Sequence, residues 1–286
     1  MDRLSFTNAQ IENVVVDEGW SLTNPPSIIP TRRGSVALLN TEHSEFVLKY
    51  ADLTNQATEA GISPSRSAGI RNEAETLSLL TDDIAPTLYA LRDRSGYVYS
   101  LSEYINGDRL SEVTVSRFVD SSNIISGLIR AVTKLNEATI LHGDIHPDNV
   151  LLSDSHSIVL LDFELAHSIH EPPLAPGLVH YLSPEAAKKE INGEQFTYDQ
   201  AEETFALAAT ILSVLTRSLP PRYQTLEIPS RLVALQKIAD GVGYNKESVD
   251  KSNTDLAESL IQILESPASK RPNSPADLHS EIERFL

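Results

Sequence analysis

The stretch LHGDIHPDN, residues 141–149, decides the architecture of this chain and is followed directly by the apolar triplet VLL. Thirteen residues beyond Asn149, a second apolar run ends at the triplet DFE, which begins with Asp162. Polar groups this close to buried strands need a partner or a function, because burying them unpaired costs free energy. Asp144 can orient a hydroxyl and accept its proton, while the amide oxygen of Asn149 and the carboxylate of Asp162 are the oxygen ligands that Mg²⁺ prefers. Phosphoryl transfer requires this combination of positioning and charge neutralisation.

The HGD triplet with Asn149 resembles the H-x-D-x-x-x-x-N catalytic loop of the protein-kinase-like superfamily. The DFE triplet resembles a variant of the D-F-G motif of the same superfamily. The resemblance implies ATP and Mg²⁺ as cofactors, with Asp144 as the catalytic base and with Asn149 and Asp162 as the magnesium ligands.

A second interpretation of the same stretch is a transition-metal cluster. The string Gly-Asp-x-His also occurs in metallophosphoesterases, where the ligands would be His142, Asp144, His146 and Asp148. Such a site requires further His/Asp motifs, and the remaining histidines of the chain do not form them. Phosphoryl transfer is therefore favoured over metal-dependent hydrolysis.

Lys49 lies in the strand-like run FVLKY, ahead of a predicted helix that carries Glu73 and Glu75. A lone lysine in a strand usually faces solvent. Kinases, however, pair a lysine of the third strand with a glutamate of the next helix, which holds the lysine against the α- and β-phosphates. Lys49 and Glu73 resemble that pair. Glu73 is preferred over Glu75 because it lies on the flank of the apolar stripe of the helix.

The loop that would cover the phosphates is reduced in this chain. The family pattern is G-x-G-x-x-G-x-V, and the segment IPTRRGSV, residues 29–36, keeps only the last glycine, Gly34, and the valine. By the resemblance, backbone donors near Gly34 approach the nucleotide, and Arg32 or Arg33 adds positive charge.

The character of the chain changes at residues 103–107, the end of the segment LSEYING. Strand-like alternation predominates before this point and helical periodicity after it. We expect one domain of 286 residues, with an N-lobe of about residues 1–104 and a C-lobe of about residues 108–286. The dividing segment resembles a kinase hinge, whose backbone meets adenine, with Glu103 and Ile105 as the contact positions.

Hydrophobic periodicity predicts an α+β fold. Apolar residues recur at helical spacing in residues 8–17, 67–80, 122–137, 205–216, 256–264 and 276–286. Strand-like runs occupy residues 27–40, 45–50, 87–92, 97–104, 150–152 and 158–161. The resemblance to the kinase superfamily implies a two-lobed protein-kinase-like fold, in which a small antiparallel-sheet N-lobe with one main helix precedes a mostly helical C-lobe.

Three segments of the C-terminal half also resemble the kinase pattern. GLVHYLSPE, residues 177–185, resembles the end of an activation segment. ETFALA resembles the start of the buried central helix, with Glu203 in place of the usual aspartate, and SKRP resembles the late arginine segment. The resemblance implies an internal ion pair between Glu185 and Arg271.

Composition restricts the partners. The chain has 40 acidic and 23 basic residues, a net charge of −17, which disfavours nucleic acid and anionic membranes as partners. The absence of cysteine excludes disulfides, thiolate catalysis and Cys-ligated zinc. The longest strongly apolar stretch, residues 205–215, is too short to span a bilayer, and the first residues lack a signal-peptide core. We expect a cytoplasmic protein.

Some departures from the kinase pattern are informative. Gly143 stands where many kinases have an arginine that holds a phosphorylated activation segment, which predicts activity without phosphate on Ser168 or Ser183. His146 stands where protein kinases have a phosphate-contacting lysine. Leu178 replaces the threonine that commonly braces that lysine.

The chain as a whole resembles bacterial Ser/Thr kinases and the kinase domain of lanthipeptide synthetases. This resemblance implies phosphorylation of Ser/Thr hydroxyls in a protein or in a ribosomally made precursor peptide. With a precursor peptide as acceptor, separate lyase and cyclase partner proteins would carry out elimination and ring closure.

Two alternatives stay open. The HGD-x-H-x-x-N string also resembles aminoglycoside and choline phosphotransferases, which act on small molecules. Those enzymes usually carry large helical insertions between hinge and catalytic loop, whereas only 34 residues separate Gly107 from His142 here. The other alternative is a pseudokinase scaffold, which the joint retention of Lys49, Asp144, Asn149 and Asp162 disfavours.

Overall fold

The computed structural model of the protein describes residues 7–31, 34–53, 65–81, 83–113, 121–195, 197–217, 230–241, 243–244 and 253–286. Two compact units divide the chain, residues 1–106 and residues 107–286. Within the described ranges, no helix combines the length and the apolar composition needed to cross a bilayer.

The first unit begins with the helix α1 (Asn8–Glu18), which the pattern of residues 8–17 predicted. Thr7 and Gln10 form a reciprocal capping box at its N-terminus. Gly19 ends the helix in the left-handed conformation, with φ 66°, which a residue without a Cβ adopts at little cost. The local sequence therefore fixes both ends of α1.

Five antiparallel strands form the sheet of the first unit, in the order β1-β2-β3-β5-β4. Their bounds are β1 (Ser27–Thr31), β2 (Gly34–Asn40), β3 (Glu45–Asp52), β4 (Leu88–Asp93) and β5 (Tyr97–Glu103). The helix expected at residues 67–80 is α2 (Arg66–Leu77), between β3 and β4. It ends at Leu77, earlier than predicted, and Leu79 beyond it is exposed.

The two faces of this sheet are covered by different helices. Ile11 and Val14 of α1 are buried against one face. The side chains of that face are Leu39, Phe46, Leu48, Tyr50, Tyr99 and Leu101. Ile70 of α2 is buried against Ala51 and Val98, which alternate with those residues along β3 and β5 and therefore point to the opposite face.

The C-terminal end of α1 carries two carboxylates, although the helix dipole disfavours negative charge there. Donors on β4, on β5 and in the turn between them offset this effect. Glu18 lies 3.0 Å from Arg92 Nε and accepts a hydrogen bond of 2.8 Å from the Tyr99 hydroxyl. Asp17 accepts from Arg94 Nε at 3.2 Å. Burial, and then the Glu18 carboxylate, raise the pKa of Tyr99 well above its usual value, so the hydroxyl keeps its proton.

Tyr99→Phe tests this connection between α1 and the sheet. The change removes the donor to Glu18 and should lower the free energy of unfolding by about 1.5–3 kcal/mol, the usual effect of losing a hydrogen bond to a charged group. Urea unfolding of the purified protein measures the loss. The matched control is Tyr89→Phe, at a half-exposed position of β4, which should leave stability nearly unchanged. Equal effects of the two changes would contradict the assigned role of Tyr99.

The second unit is mostly helical, with short antiparallel strands near its start. Its strands are β6 (Gly107–Arg109), β7 (Ile140–Leu141), β8 (Val150–Ser153), β9 (Ile158–Leu160) and β10 (His167–Ser168). Its helices are α3 (Ser121–Glu137), α4 (Pro184–Ile191), α5 (Gln200–Thr216), α6 (Arg231–Ala239), α7 (Thr254–Glu265) and α8 (Pro275–Ile282). Strand β8 pairs with β6 and β9, and β7 pairs with β10. A sheet followed by a helical part confirms the predicted α+β class.

Helix α5 is the buried centre of the second unit. Asp199 caps its N-terminus by accepting the N–H of Glu202 at 3.0 Å. Every residue from Glu203 to Thr216 is buried, as the apolar character all round the helix predicted. Helix α5 contacts α3, α7 and α8, so these helices depend on it for their packing.

Two helices of this unit, α4 and α6, were not predicted from the sequence. Their apolar residues pack mainly against each other, in a cluster that includes Ala187, Ala234 and Ile238. Helix α6 also exposes Leu232 and Val233, so its apolar residues do not follow a single stripe. Short helices that depend on a mutual contact leave a weak periodic signal.

Candidate active site

Strands β8 and β9 bring two of the predicted site residues to one end of a hairpin. The strands are antiparallel, with Val150 opposite Leu160. Asn149 immediately precedes β8 and Asp162 follows β9, so both lie at the same end. A hydrogen bond of 2.8 Å from the N–H of Leu161 to the carbonyl of Asn149 closes this end.

Asp144 is fixed by hydrogen bonds on both its backbone and its side chain. Its carbonyl accepts Asn149 Nδ2 at 3.0 Å, and its Oδ1 accepts the N–H of Leu178 at 2.6 Å. Burial opposes ionisation, but His146 and the Leu178 N–H outweigh it and hold the pKa of Asp144 below its usual value. The side chain remains 18% exposed. Asp144 is therefore an ionised and accessible carboxylate at neutral pH, as a proton acceptor must be.

Asn149 and Asp162 offer the oxygen ligands that Mg²⁺ requires. Because Asn149 Nδ2 is used in the bond to Asp144, the amide oxygen faces the other way. Asp162 adopts a left-handed conformation, with φ 64° and ψ 65°, directly before a 3₁₀ turn of Phe163–Leu165. This conformation is uncommon for a residue with a side chain and is often retained at functional sites. An amide oxygen and a carboxylate at one hairpin end fit Mg²⁺.

His142 has a structural role at the site and does not act as a metal ligand. Its ring is buried, packs against Phe163 at 4.7 Å between centroids and contacts the Leu161 carbonyl through Nε2 at 3.0 Å. Burial lowers the pKa of His142 to about 4, so the ring is neutral at pH 7. The four residues of the alternative transition-metal cluster, all within the described chain, do not gather their ligand atoms around a common point.

Glu203 attaches the catalytic loop to α5. One oxygen of its buried carboxylate accepts the backbone N–H groups of His142 (2.7 Å) and Gly143 (3.1 Å), and the other accepts Asn136 Nδ2 (3.0 Å). These donors favour the ionised form, but burial outweighs them and raises the pKa of Glu203 to about 7. A single carboxylate thus fixes the backbone immediately before Asp144.

Two glycines allow the catalytic loop and the activation segment, residues 162–185, to pack backbone against backbone. Gly143 has φ 78°, and a Cβ there would lie 2.5 Å from the Leu165 carbonyl oxygen. A Cβ on Gly177 would lie 2.5 Å from the Gly143 carbonyl oxygen and 2.8 Å from Asp144 Oδ1. Neither position has room for a side chain, so the missing arginine before Asp144 has a steric reason.

The predicted ion pair between Glu185 and Arg271 is present. Arg271 Nη1 lies 2.7 Å from Glu185 Oε2, and its guanidinium lies over the ring of Phe205 at 4.9 Å. The guanidinium and burial have opposite effects on the Glu185 carboxyl. Burial raises the pKa of this carboxyl, but hydrogen bonds, chiefly the one from Arg271, lower it by more. The net pKa lies below its usual value, so the carboxyl stays ionised. The pair fixes the end of the activation segment to the core around α5.

Arg231, at the start of α6, also holds the activation segment, and the sequence did not reveal it. Its Nη1 donates to the Gly177 carbonyl at 3.3 Å, while Nε and Nη2 donate to the two oxygens of Glu190 at 2.7 and 2.8 Å. Arg231 is 54 residues from Gly177 in the chain, so no local spacing could have signalled the contact.

Lys49 and Glu73 form an ion pair in the first unit. Lys49 Nζ lies 2.7 Å from Glu73 Oε2, and both side chains are largely buried. Lys49 is on β3 opposite Ser100 of β5, and Glu73 is on α2. The contact selects Glu73 over Glu75 as the partner of Lys49. The functional role of the pair stays a prediction.

The two predicted hinge residues differ in the hydrogen bonds that they make within the chain. The Glu103 side chain accepts from the N–H and hydroxyl of Thr87, and the Glu103 N–H donates to the Thr87 carbonyl. The backbone of Ile105 makes no hydrogen bond to any part of the chain that the structure describes. No hydrogen bond of the Ile105 backbone to the described residues competes with the predicted contact to adenine, which stays a prediction.

Gly34 begins β2 opposite Thr31 of β1, at the turn between the two strands. Its predicted approach to the phosphates stays a prediction. Arg32 and Arg33, which the sequence pattern associated with it, lie outside the described residues.

The raised pKa of Glu203 predicts a pH dependence of stability. The unfolded carboxyl titrates near 4.5 and the folded one near 7, so this stabilisation is complete below pH 4.5 and is lost as the pH rises through 7. His142, with a lowered pKa, has the opposite effect between pH 6.5 and 4. The difference in unfolding free energy between wild type and Glu203→Gln isolates the carboxyl. Between pH 4.5 and 7 the wild type should lose about 3 kcal/mol of unfolding free energy relative to Glu203→Gln.

Urea unfolding at several pH values provides this difference. Glu137→Gln, at an exposed position near the end of α3, is the control and should give a difference that hardly changes with pH. A pH-independent difference for Glu203→Gln as well would show that Glu203 does not titrate in this range.

Comparison with known proteins connects this geometry to a family. Residues 34–281 match the model of the protein kinase domain. The chain is 26% identical over 159 residues to the serine/threonine-protein kinase PrkC of Bacillus subtilis, an alignment covering 52% of this chain and 24% of that protein. It is 24% identical over 212 residues to the serine/threonine-protein kinase D of Synechocystis, which covers 70% of this chain and 38% of that protein.

A third relative is a putative mitogen-activated protein kinase kinase kinase 7-like protein of Drosophila melanogaster. It is 28% identical over 190 residues, covering 65% of this chain and 45% of that protein. The chain thus matches less than half of the length of each of these relatives. The match to the kinase domain, in contrast, spans most of the chain and includes parts of both units. The chain belongs to the protein kinase family.

Proposed function

We propose that this chain is an ATP- and Mg²⁺-dependent protein kinase that phosphorylates serine or threonine hydroxyls. The observation that carries the proposal is Asp144, an ionised carboxylate held by Leu178 and placed in one loop with Asn149. The relatives reported above support the acceptor class, since two of them are named as serine/threonine-protein kinases.

The proposed reaction needs one proton acceptor. The acceptor hydroxyl donates a hydrogen bond to Asp144, whose carboxylate takes the proton as the new O–P bond forms. The bond from the terminal phosphorus to the bridging oxygen breaks at the same centre, and ADP leaves. Lys49, held by Glu73, would bind the α- and β-phosphates. Asn149 and Asp162 would hold Mg²⁺, which supplies charge neutralisation for the phosphates when bound.

Contacts within the fold hold the activation segment in place. Its hydroxyls are those of Ser168, Tyr181 and Ser183. Ser168 is partly buried in β10, and Tyr181 is buried with its hydroxyl 3.4 Å from Ser213 Oγ. Ser183 is fully buried, caps α4 and donates to Glu202 at 2.7 Å. This packing supports the prediction that activity does not wait for phosphorylation of the segment.

A protein or peptide acceptor is proposed over a small molecule. The activation segment ends in a helix, α4, that is fixed by ion pairs at Glu185 and Glu190, as an extended acceptor surface requires. The finer proposal is a ribosomally made precursor peptide. It rests on the Gly-Asp catalytic loop and the DFE triplet, and separate lyase and cyclase partners belong to that proposal.

Asp144→Ala tests the proposed base. The variant should lower kcat for phosphate transfer at least about 100-fold, because general-base catalysis contributes that much, while binding of ATP persists. Incubation with ATP, Mg²⁺ and a panel of Ser/Thr peptides, followed by mass spectrometry, measures the transfer. Asp154→Ala, at an exposed position of the β8–β9 turn, is the matched control and should keep wild-type activity. Retained transfer in Asp144→Ala would refute the assignment.

Protein treated with phosphatase tests independence from phosphorylation. Its activity should stay within about two-fold of untreated protein, because contacts within the fold already order the segment. Ser168→Ala should behave in the same way. Loss of activity after phosphatase treatment, restored when phosphate is reintroduced, would contradict the prediction.

A further inference from the structure

His146 lies two residues after Asp144 and has a fixed environment. It adopts an extended conformation, with φ −160° and ψ 165°, at the start of the 3₁₀ turn Pro147–Asn149, and its carbonyl accepts the N–H of Asn149 at 2.9 Å. Its side chain is only 5% exposed. The backbone and the burial together determine where the imidazole ring points. His146 is therefore a buried ring and not a solvent-facing side chain.

The ring lies between two carboxylates of the same loop. Its Nε2 is 3.6 Å from Asp144 Oδ2, and its Nδ1 is 3.8 Å from Asp148 Oδ2. Nδ1 is buried and has no hydrogen-bond partner within the described chain. An N–H on Nε2 points at Asp144. The separation of 3.6 Å exceeds a good hydrogen bond, but such contacts often shorten when substrates bind.

The flat side of the ring is held by the activation segment. The rings of His146 and Tyr181 are stacked, with 5.7 Å between centroids and 29° between planes. The Tyr181 hydroxyl in turn contacts Ser213 of α5. Asp144 Oδ1 is meanwhile bonded to Leu178, three residues before Tyr181. The activation segment thus acts on both oxygens of Asp144, on one directly and on the other through His146.

We propose that His146 is a positioning residue, whose Nε2–H orients the Asp144 carboxylate toward the acceptor hydroxyl and whose stacking on Tyr181 ties that orientation to the activation segment. The inference rests on the proposed function, since it assigns Asp144 the role of base. It goes beyond that function in giving His146 a task different from that of the lysine found there in the kinases this chain resembles. The ring contributes a hydrogen-bond donor to Asp144 and a flat surface to Tyr181, and substitutions can remove the first while keeping the second.

Two substitutions make the separation. His146→Phe keeps a flat ring for Tyr181 and removes the donor, whereas His146→Gln keeps an N–H donor near the position of Nε2. His146→Phe should lower kcat for phosphate transfer about 10-fold to 100-fold, because a misdirected base loses reaction geometry. The KM values for ATP and for the acceptor should stay within about two-fold. His146→Gln should recover most of the lost kcat. The control is His43→Phe, at an exposed turn of the first unit, with unchanged kcat.

The outcomes separate a positioning role from a structural one. Wild-type kcat in His146→Phe would overturn the proposal, as would equal losses in both variants or a loss confined to KM. Circular dichroism and thermal unfolding establish that each variant is folded.

A second measurement does not depend on activity. Long-range proton–nitrogen correlation NMR of nitrogen-labelled protein identifies which ring nitrogen of each histidine carries the proton, and His146→Gln assigns the signal. We expect a proton on Nε2 of His146, with a signal that shifts in Asp144→Asn. An Nδ1–H tautomer, or a signal unaffected by Asp144→Asn, would overturn the inference. If wild-type protein failed to phosphorylate any acceptor, the proposed function would fail, and this spectrum would still decide whether His146 donates to Asp144.

Discussion

The catalytic loop depends on one buried carboxylate. Glu203 sits at the start of α5, the most deeply buried helix of the second unit, and accepts two consecutive backbone N–H groups of the loop. Peptide groups buried without partners are costly, so the loop has a single favourable position with respect to α5. This anchor fixes the backbone immediately before Asp144. The loop backbone is fixed, Gly143 passes close to Leu165, and Asn149 closes the far end with a bond to the Asp144 carbonyl.

The activation segment works as a packed element in its own right. Its contacts reach four different places: Asp144 through Leu178, α5 through Tyr181, α6 through Arg231, and the late arginine Arg271 through Glu185. Such a set of contacts from a single segment is ordinarily cooperative, since each one restricts the others. The segment therefore connects Asp144 to helices α4, α5 and α6 through direct contacts.

Local patterns predicted the candidate site residues, whereas long-range packing could not be predicted from the sequence. The HGD and DFE strings, the strand at Lys49 and the buried helix at residues 205–216 could be read directly, because each is a short periodic or spaced pattern. The Glu185–Arg271 pair was accessible only through resemblance to a family. The contact of Arg231 with Gly177 was not accessible, since it joins residues 54 positions apart. Helices α4 and α6 were missed because their burial depends on each other.

Helix α1 has a practical consequence for the boundaries of the protein. The match to the kinase domain begins at residue 34, after both α1 and β1. A recombinant fragment trimmed to that match would leave one sheet face, including Leu39 and Leu48, without its cover, and would remove the edge strand that pairs with β2. Uncovered apolar faces and open strand edges are the usual starting points of aggregation. We therefore expect a fragment that keeps α1 and its cap at Thr7 to be more soluble than one trimmed to residue 34.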